Sequence, residues 1–144
     1  MGKHKGGSKM TALAAFGLLV IRLVVGLTFA AHGAQKLFGW FGGHGLQGTG
    51  GFFESIGIKP GKTMALFAGL SEVAGGLLFA AGFLTPLAAL LIIGTMIVAI
   101  VKVHGPNGYW VTQNGTEYNV MLIVVALGVA LVGAGSFSID ALLF

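Results

Sequence analysis

Long apolar runs dominate the chain, and polar residues break them at only a few places. Residues 73–101 carry no charge and 118–139 form a second uncharged run, each at least as long as the roughly 20 residues a spanning helix needs. Residues 11–38, with Arg22, His32 and Lys36, and 62–82, with Glu72, are otherwise apolar enough to insert as well. The longest run splits at "GFLTPLAALL", where Thr85 reads as an N-cap and Pro86 as the first helical residue. The pattern therefore predicts an all-α integral membrane protein: a four-transmembrane-helix bundle with helices at about 12–38, 62–81, 85–103 and 117–135 and both termini on one side. "GGFFESIG", residues 50–57, is apolar but too short to span. It predicts a short interfacial or re-entrant helix in the first loop, ended by Gly57, with Pro60 turning the chain into the second span. The runs lack the alternation of barrel strands.

Composition agrees, at 56% hydrophobic and 8% charged residues with a mean hydropathy of +0.94. The domain organisation follows as a basic N-terminal tail, 1–10, and a single membrane domain, 11–144. "MGKHKGGSK" before an apolar run resembles a signal peptide, but Arg22 interrupts the run and no small-x-small cleavage site follows, so the segment reads as an uncleaved first span. Lys3, Lys5 and Lys9 favour cytoplasmic termini in a plasma-membrane, multi-pass protein, whereas Lys36, Lys59, Lys62 and Lys102 fall on the opposite side and weaken that vote. Lysines meeting lipid headgroups account for the net charge of +4, and no basic cluster points to nucleic acid. The absence of cysteine excludes disulfide exchange, thiolate catalysis and cysteine-held iron–sulfur or zinc centres.

Two glycine-rich stretches imitate nucleotide motifs. "GHGLQG", 43–48, has dinucleotide-fingerprint spacing but follows a membrane helix instead of a strand. "GIKPGKT", 57–63, is one residue short of a phosphate-binding loop and is stiffened by Pro60. Abundant glycine explains both.

The informative residues are the polar ones inside the spans, because an ionisable group there costs at least ~2.5 to 3.5 kcal/mol and needs a partner. Arg22, Phe29, His32, Gly33 and Lys36 share one stripe of the first helix, and Ala65, Ala68, Gly69, Gly75 and Gly76 surround Glu72 on the second. Packing the two stripes predicts an Arg22–Glu72 ion pair, whose plainer reading is charge neutralisation that fixes helix register. His32, Lys36, His104 and Glu117 all fall at the same membrane face and, with Glu72, form the candidate catalytic set. Trp40, Phe41, Trp110, Tyr118 and Asn119 are the candidate substrate-binding residues, with Tyr109 on the same border; an interfacial aromatic belt is the alternative for the aromatics. His32 and His104 as axial haem ligands are weighed and set aside, since paired interfacial histidines more often make hydrogen bonds, and no metal site is expected.

From "RLVVGLTFAAHGAQKLFGWFGGHGLQGTGGFFESIGIKPG" through "AGLSEVAGGLLFAAGFLTPLAA" to "KVHGPNGYW" and "EYN", the chain resembles the DoxX family of small bacterial and archaeal membrane proteins. The matching residues are Arg22, His32, Gly33, Lys36, Gly39, Phe52, Phe53, Glu72, Gly76, Pro86, His104, Glu117 and Asn119. The resemblance implies a four-helix membrane bundle and a role in redox chemistry, as a relative of the small subunit of a thiosulfate-oxidising, quinone-reducing enzyme or as a membrane partner of redox enzymes. The expectation is a membrane component of a quinone-linked redox system, an oxidoreductase subunit with a polar pocket at one face. A quinone or small reductant would bind as substrate, no cofactor is evident in the chain, and the partners are the lipid bilayer and a soluble redox enzyme or a second copy. The alternatives are a non-catalytic scaffold for a partner enzyme, and a small-molecule, lipid-binding or transport protein.

Overall fold

Thr11 starts the first helix by accepting a hydrogen bond from the Ala14 amide at 3.1 Å, and Gly39, at φ 74°, ends it in a left-handed turn. The computed structural model describes residues 10–144, so the basic tail expected at 1–10 lies, except for Met10, outside the described residues. The elements are α1 (Ala12–Phe38), α2 (Gly45–Ser55), α3 (Gly61–Ala81), α4 (Thr85–Ala99), α5 (Glu117–Val132) and α6 (Ile139–Leu143). A π-helical turn, Ile100–His104, prolongs α4. Among the described residues no strand is formed. Of the helices among the described residues, three are long and apolar enough to cross a membrane: α1, α3 and α4 with its continuation to Asn107. The α5 helix is apolar but shorter, at 16 residues.

Several expected boundaries move. The last long helix stops at Val132 instead of 135, because Gly133 takes φ 100° and leaves helical geometry. Thr85 is not the N-cap of α4 but its first residue. Leu84, in a left-handed conformation, holds the cap position, and the capping oxygens come from Asp140 on α6. The first-loop helix begins five residues early, at Gly45, and its glycines are a packing surface: a Cβ on Gly50 would lie 2.8 Å from the Lys62 backbone. Gly57, at φ 83°, follows its end.

The central helix is α3, which packs on α1 along one side and on α4 along another, while α4 packs on α5 and α2 lies across α3 and α1. Lipid supplies no hydrophobic drive for helix association, so close van der Waals contact between small residues does that work. On the α1–α3 seam Gly26 faces Gly76 and Ala80, and Gly33 faces Gly69. A Cβ on Gly26 would fall 2.5 Å from the Gly76 carbonyl oxygen. The matching order of these contacts makes the two helices antiparallel. Phe29, Phe79, Ile92, Met96 and Leu122 fill the core beside this seam.

Candidate functional site

The buried carboxylate of Glu72 meets the Lys36 ammonium, not an arginine. Lys36 Nζ lies 3.0 Å from Glu72 Oε1, to which it donates a hydrogen bond, and 2.9 Å from Oε2. Lys36 is on the last turns of α1 and reaches back along the helix, while Gly33 and Gly69 bring the backbones close enough for its side chain to span the seam. The Glu72 side chain is 4% exposed and that of Lys36 25%, so the ammonium borders solvent while the carboxylate does not.

This pair sits on the wall of an open-sided cavity of ≈ 1090 Å³ bordered by the second half of α1, α2, α3, the second half of α4 and the start of α5. Its lining is mostly apolar, with Phe29, Phe52, Phe53, Phe67, Leu91 and Met96 among the walls. Of the expected site residues, His32, Lys36, Glu72, His104, Tyr118 and Asn119 all line it. The His32 and Tyr118 rings lie 5.8 Å apart. Asn119 is buried and donates from Nδ2 to Met96 Sδ at 3.4 Å, with Oδ1 unpartnered. His104 Nδ1 lies 2.9 Å from the Asn114 carbonyl oxygen and thereby ties the end of α4 to the loop before α5.

Arg22 lies elsewhere, near the far end of α3. Its Nε donates to the Phe79 carbonyl (3.3 Å), Nη1 to Ala134 (2.6 Å), and Nη2 to Ala80 (3.1 Å) and Phe137 (3.0 Å). The expected Arg22–Glu72 ion pair is therefore corrected. Helix ends leave carbonyls without intrahelical donors, and a rigid five-donor fork is drawn to them before it is drawn to a carboxylate two turns away. Asp140 completes this end, accepting from the Leu84 amide (2.8 Å), the Thr85 amide (3.0 Å) and the Thr85 hydroxyl (2.6 Å). Partial burial works to raise the Asp140 carboxyl, but the hydrogen bonds from Thr85 and Leu84 and the nearby Arg22 charge outweigh it and hold the group below the usual carboxylate range.

A family model for DoxX matches residues 17–105, the stretch that carries Arg22, the Lys36–Glu72 pair and most of the cavity wall. The chain belongs to the DoxX family. Among relatives of this DoxX protein, a Bacillus subtilis protein named "Putative oxidoreductase CatD" is 29% identical over 89% of the chain and 87% of its own length. The inner membrane protein YqjF of Escherichia coli is 31% identical over 93% of the chain and 97% of its own length. An uncharacterized membrane protein of Mycobacterium tuberculosis is 29% identical over 85% of the chain and 78% of its own length. No solved structure matches the chain. The family, the membrane names and the long apolar helices together make this a membrane protein.

Four expected site residues of the DoxX chain stand outside the cavity lining. Glu117 turns away to accept a hydrogen bond from the Val111 amide at 3.0 Å, which pins the loop preceding α5. Trp40, Phe41 and Trp110 are exposed. Trp40 packs on Phe38 at the end of α1 with ring centres 4.8 Å apart, and Trp110 meets Tyr109 at 5.1 Å, so each aromatic finds its partner among its chain neighbours. Sequence reasoning misses Thr95 and Met96, which join the cavity from the last turns of α4, and Lys102, which joins it from the π-helical turn that follows. It also misses Asp140, whose only signal is a carboxylate in an otherwise apolar C-terminal segment.

Proposed function

We propose that this DoxX protein is a quinone-linked membrane redox component, with α1, α3, α4 and α5 as four spans of the plasma membrane and both termini on the cytoplasmic side. One observation carries the reading: a buried carboxylate paired with a half-buried ammonium on the wall of a mostly apolar cavity near the ends of the long helices. A quinone ring is flat and apolar with polar atoms at two edges, and such a cavity suits it. Reduction of a quinone to a quinol consumes two electrons and two protons. Glu72 and His32 are the groups that exchange protons with the bound ring, and Lys36 holds the Glu72 charge between transfers. The electrons come from a small reductant or a partner enzyme, since a chain without cysteine contains no thiol relay. The oxidoreductase name of the Bacillus relative supports this reading.

The test is reduction of decylubiquinone by the purified protein in nanodiscs, across a panel of small reductants that includes thiosulfate. Turnover that falls at least tenfold in Glu72→Gln while the folded yield holds supports the catalytic reading. Silence across the panel removes the stand-alone enzyme. The second reading is then an anchor for a soluble redox enzyme, and the exposed Phe38, Trp40 and Phe41 cluster is the observation that favours it. Co-purification of an oxidoreductase that is lost in Trp40→Ala would establish it.

A further inference from the structure

Several hydrogen-bond donors around the cavity are engaged within the protein, while His32, Thr49 and Ser71 on its wall donate to no protein group. Gln35 Nε2 donates to the Phe41 carbonyl at 3.0 Å, and the Thr95 hydroxyl to the Leu91 carbonyl at 2.7 Å. Lys36 is engaged by Glu72, and Asn119 Nδ2 by Met96 Sδ. A thioether sulfur only accepts, so this contact fixes the amide with its oxygen, not its nitrogen, left over. Tyr118 and Lys102 are exposed and can be served by water.

Among the described residues, two buried side-chain polar atoms have no hydrogen-bond partner: Glu72 Oε2 and Asn119 Oδ1. Both residues line this cavity, and they are 3% and 2% exposed. Oε2 does lie 2.9 Å from the Lys36 ammonium, but off the hydrogen-bonding direction, and a carboxylate offers about four acceptor positions. Both atoms are acceptors, Oε2 with the Lys36 charge beside it and Asn119 Oδ1 with no donor at all. Buried acceptors without donors are costly, so these two positions favour a ligand that brings O–H groups over one that brings only carbonyl oxygens.

We propose that the cavity recognises the hydroxyl form of its ligand: a dihydroxylated aromatic ring, the quinol, whose O–H groups donate to Asn119 Oδ1 and Glu72 Oε2. This rests on the quinone-linked reading and adds to it which redox form the protein holds. The same chemistry is offered by a membrane-borne quinol with an apolar tail and by a water-soluble dihydroxybenzene. By linkage, tighter binding of the reduced form makes the bound quinone a stronger oxidant: a tenfold preference raises the two-electron potential by about 30 mV.

The experiment titrates the full chain in nanodiscs, under argon, with decylubiquinol and separately with decylubiquinone. The expected result is quinol binding tighter by on the order of tenfold, since two buried acceptors gain donors in one case and meet acceptors in the other. Asn119→Leu, which removes the acceptor at similar volume, should bring the two affinities within about threefold. Equal affinity, or preference for the quinone, overturns the proposal and leaves the quinone-linked reading standing. No binding of either form overturns both. A tailless pair, duroquinol and duroquinone, separates the sources. A preserved preference at undiminished affinity assigns recognition to a water-soluble ring, and a preserved preference at much weaker affinity assigns it to a membrane-borne quinol; loss of the preference in both pairs defeats the idea. Should Asn119→Leu fail to fold, the wild-type ratio alone decides.

Discussion

Arg22 and Glu72 are both buried charges on apolar helices, and the protein treats them in opposite ways. Four backbone carbonyls from two separated stretches, 79–80 and 134–137, surround the guanidinium, which has little left to offer a ligand. The carboxylate has one side-chain partner, a spare oxygen and a cavity beside it. A saturated charge fixes structure; an unsaturated one beside a cavity is available for chemistry. The strongest test of that contrast is to remove each in turn. Arg22→Met orphans carbonyls at the ends of α3 and in the segment after α5, and should destabilise the fold by at least about 3 kcal/mol. Arg22→Lys should be nearly as damaging, because an ammonium cannot fork to four oxygens. Glu72→Gln keeps an acceptor for Lys36 and should leave the thermal midpoint in detergent close to wild type. Equal losses for Arg22→Met and Glu72→Gln would erase the distinction.

The seam between α1 and α3 joins the two regions and gives the next largest effect. Gly26→Ala drives a methyl against the Gly76 carbonyl and the Ala80 backbone, none of which is a flexible side-chain end, and should cost about 1–3 kcal/mol. Gly94 lines the cavity, and a methyl added there would meet nothing within 4 Å, so Gly94→Ala should leave stability unchanged or slightly improved. Thermal unfolding of the two variants side by side reads the difference. A neutral Gly26→Ala would mean that the helices can part without loss.

The same contrast explains what can be seen in the sequence. The apolar runs are legible because hydrocarbon demands length and composition of each helix separately, so the bounds of α1 and α3 follow almost residue by residue. The two stripes are legible because period 3.6 places Arg22 with Gly33 and Glu72 with Gly69 whatever the rest of the chain does. Pairing along the stripe is a different matter. Charge alone matches Arg22 to Glu72, but a guanidinium near a helix end competes for carbonyls that no sequence pattern displays. Position alone puts Lys36 at the surface, yet its long side chain reaches inward. Trp40 and Trp110 read as walls because aromatic residues mark sites and interfacial belts alike. Asp140 escapes notice since a cap given by a segment 55 residues away leaves no local motif.

Asp140 yields a smaller, pH-dependent effect at the Arg22 end. Replacing it with Asn removes the charged cap of α4 and should cost about 1 kcal/mol near neutral pH. The folded carboxyl titrates below its unfolded counterpart, so its stabilisation is complete above the unfolded value and is lost as pH falls through the folded one. Wild-type protein should therefore lose stability below about pH 4, and Asp140→Asn should show a flatter acid limb there. The cavity end has no part in this, so quinol affinity at neutral pH should be the same in both proteins. An unchanged acid limb in the variant would remove Asp140 from the cap.

The smallest effects should come from the aromatics that stand apart from both charges. Trp40 and Trp110 are exposed, absent from the cavity wall and packed only on aromatic neighbours one or two residues away in the chain. Truncating either to Ala exposes little new surface and leaves the Lys36–Glu72 pair, Asn119 and the α1–α3 seam in place. Ligand affinity in nanodiscs should change by less than about twofold, and the thermal midpoint only slightly, as for most exposed positions. Tyr118 makes the sharper control, because it is also partly exposed but does line the cavity beside His32. Tyr118→Phe keeps the ring and removes one hydroxyl, so a loss of affinity there with none in Trp40→Ala or Trp110→Ala locates binding inside the cavity. The reverse order would move the binding surface out to the aromatic loops, and the unsaturated carboxylate would then lack a ligand to serve.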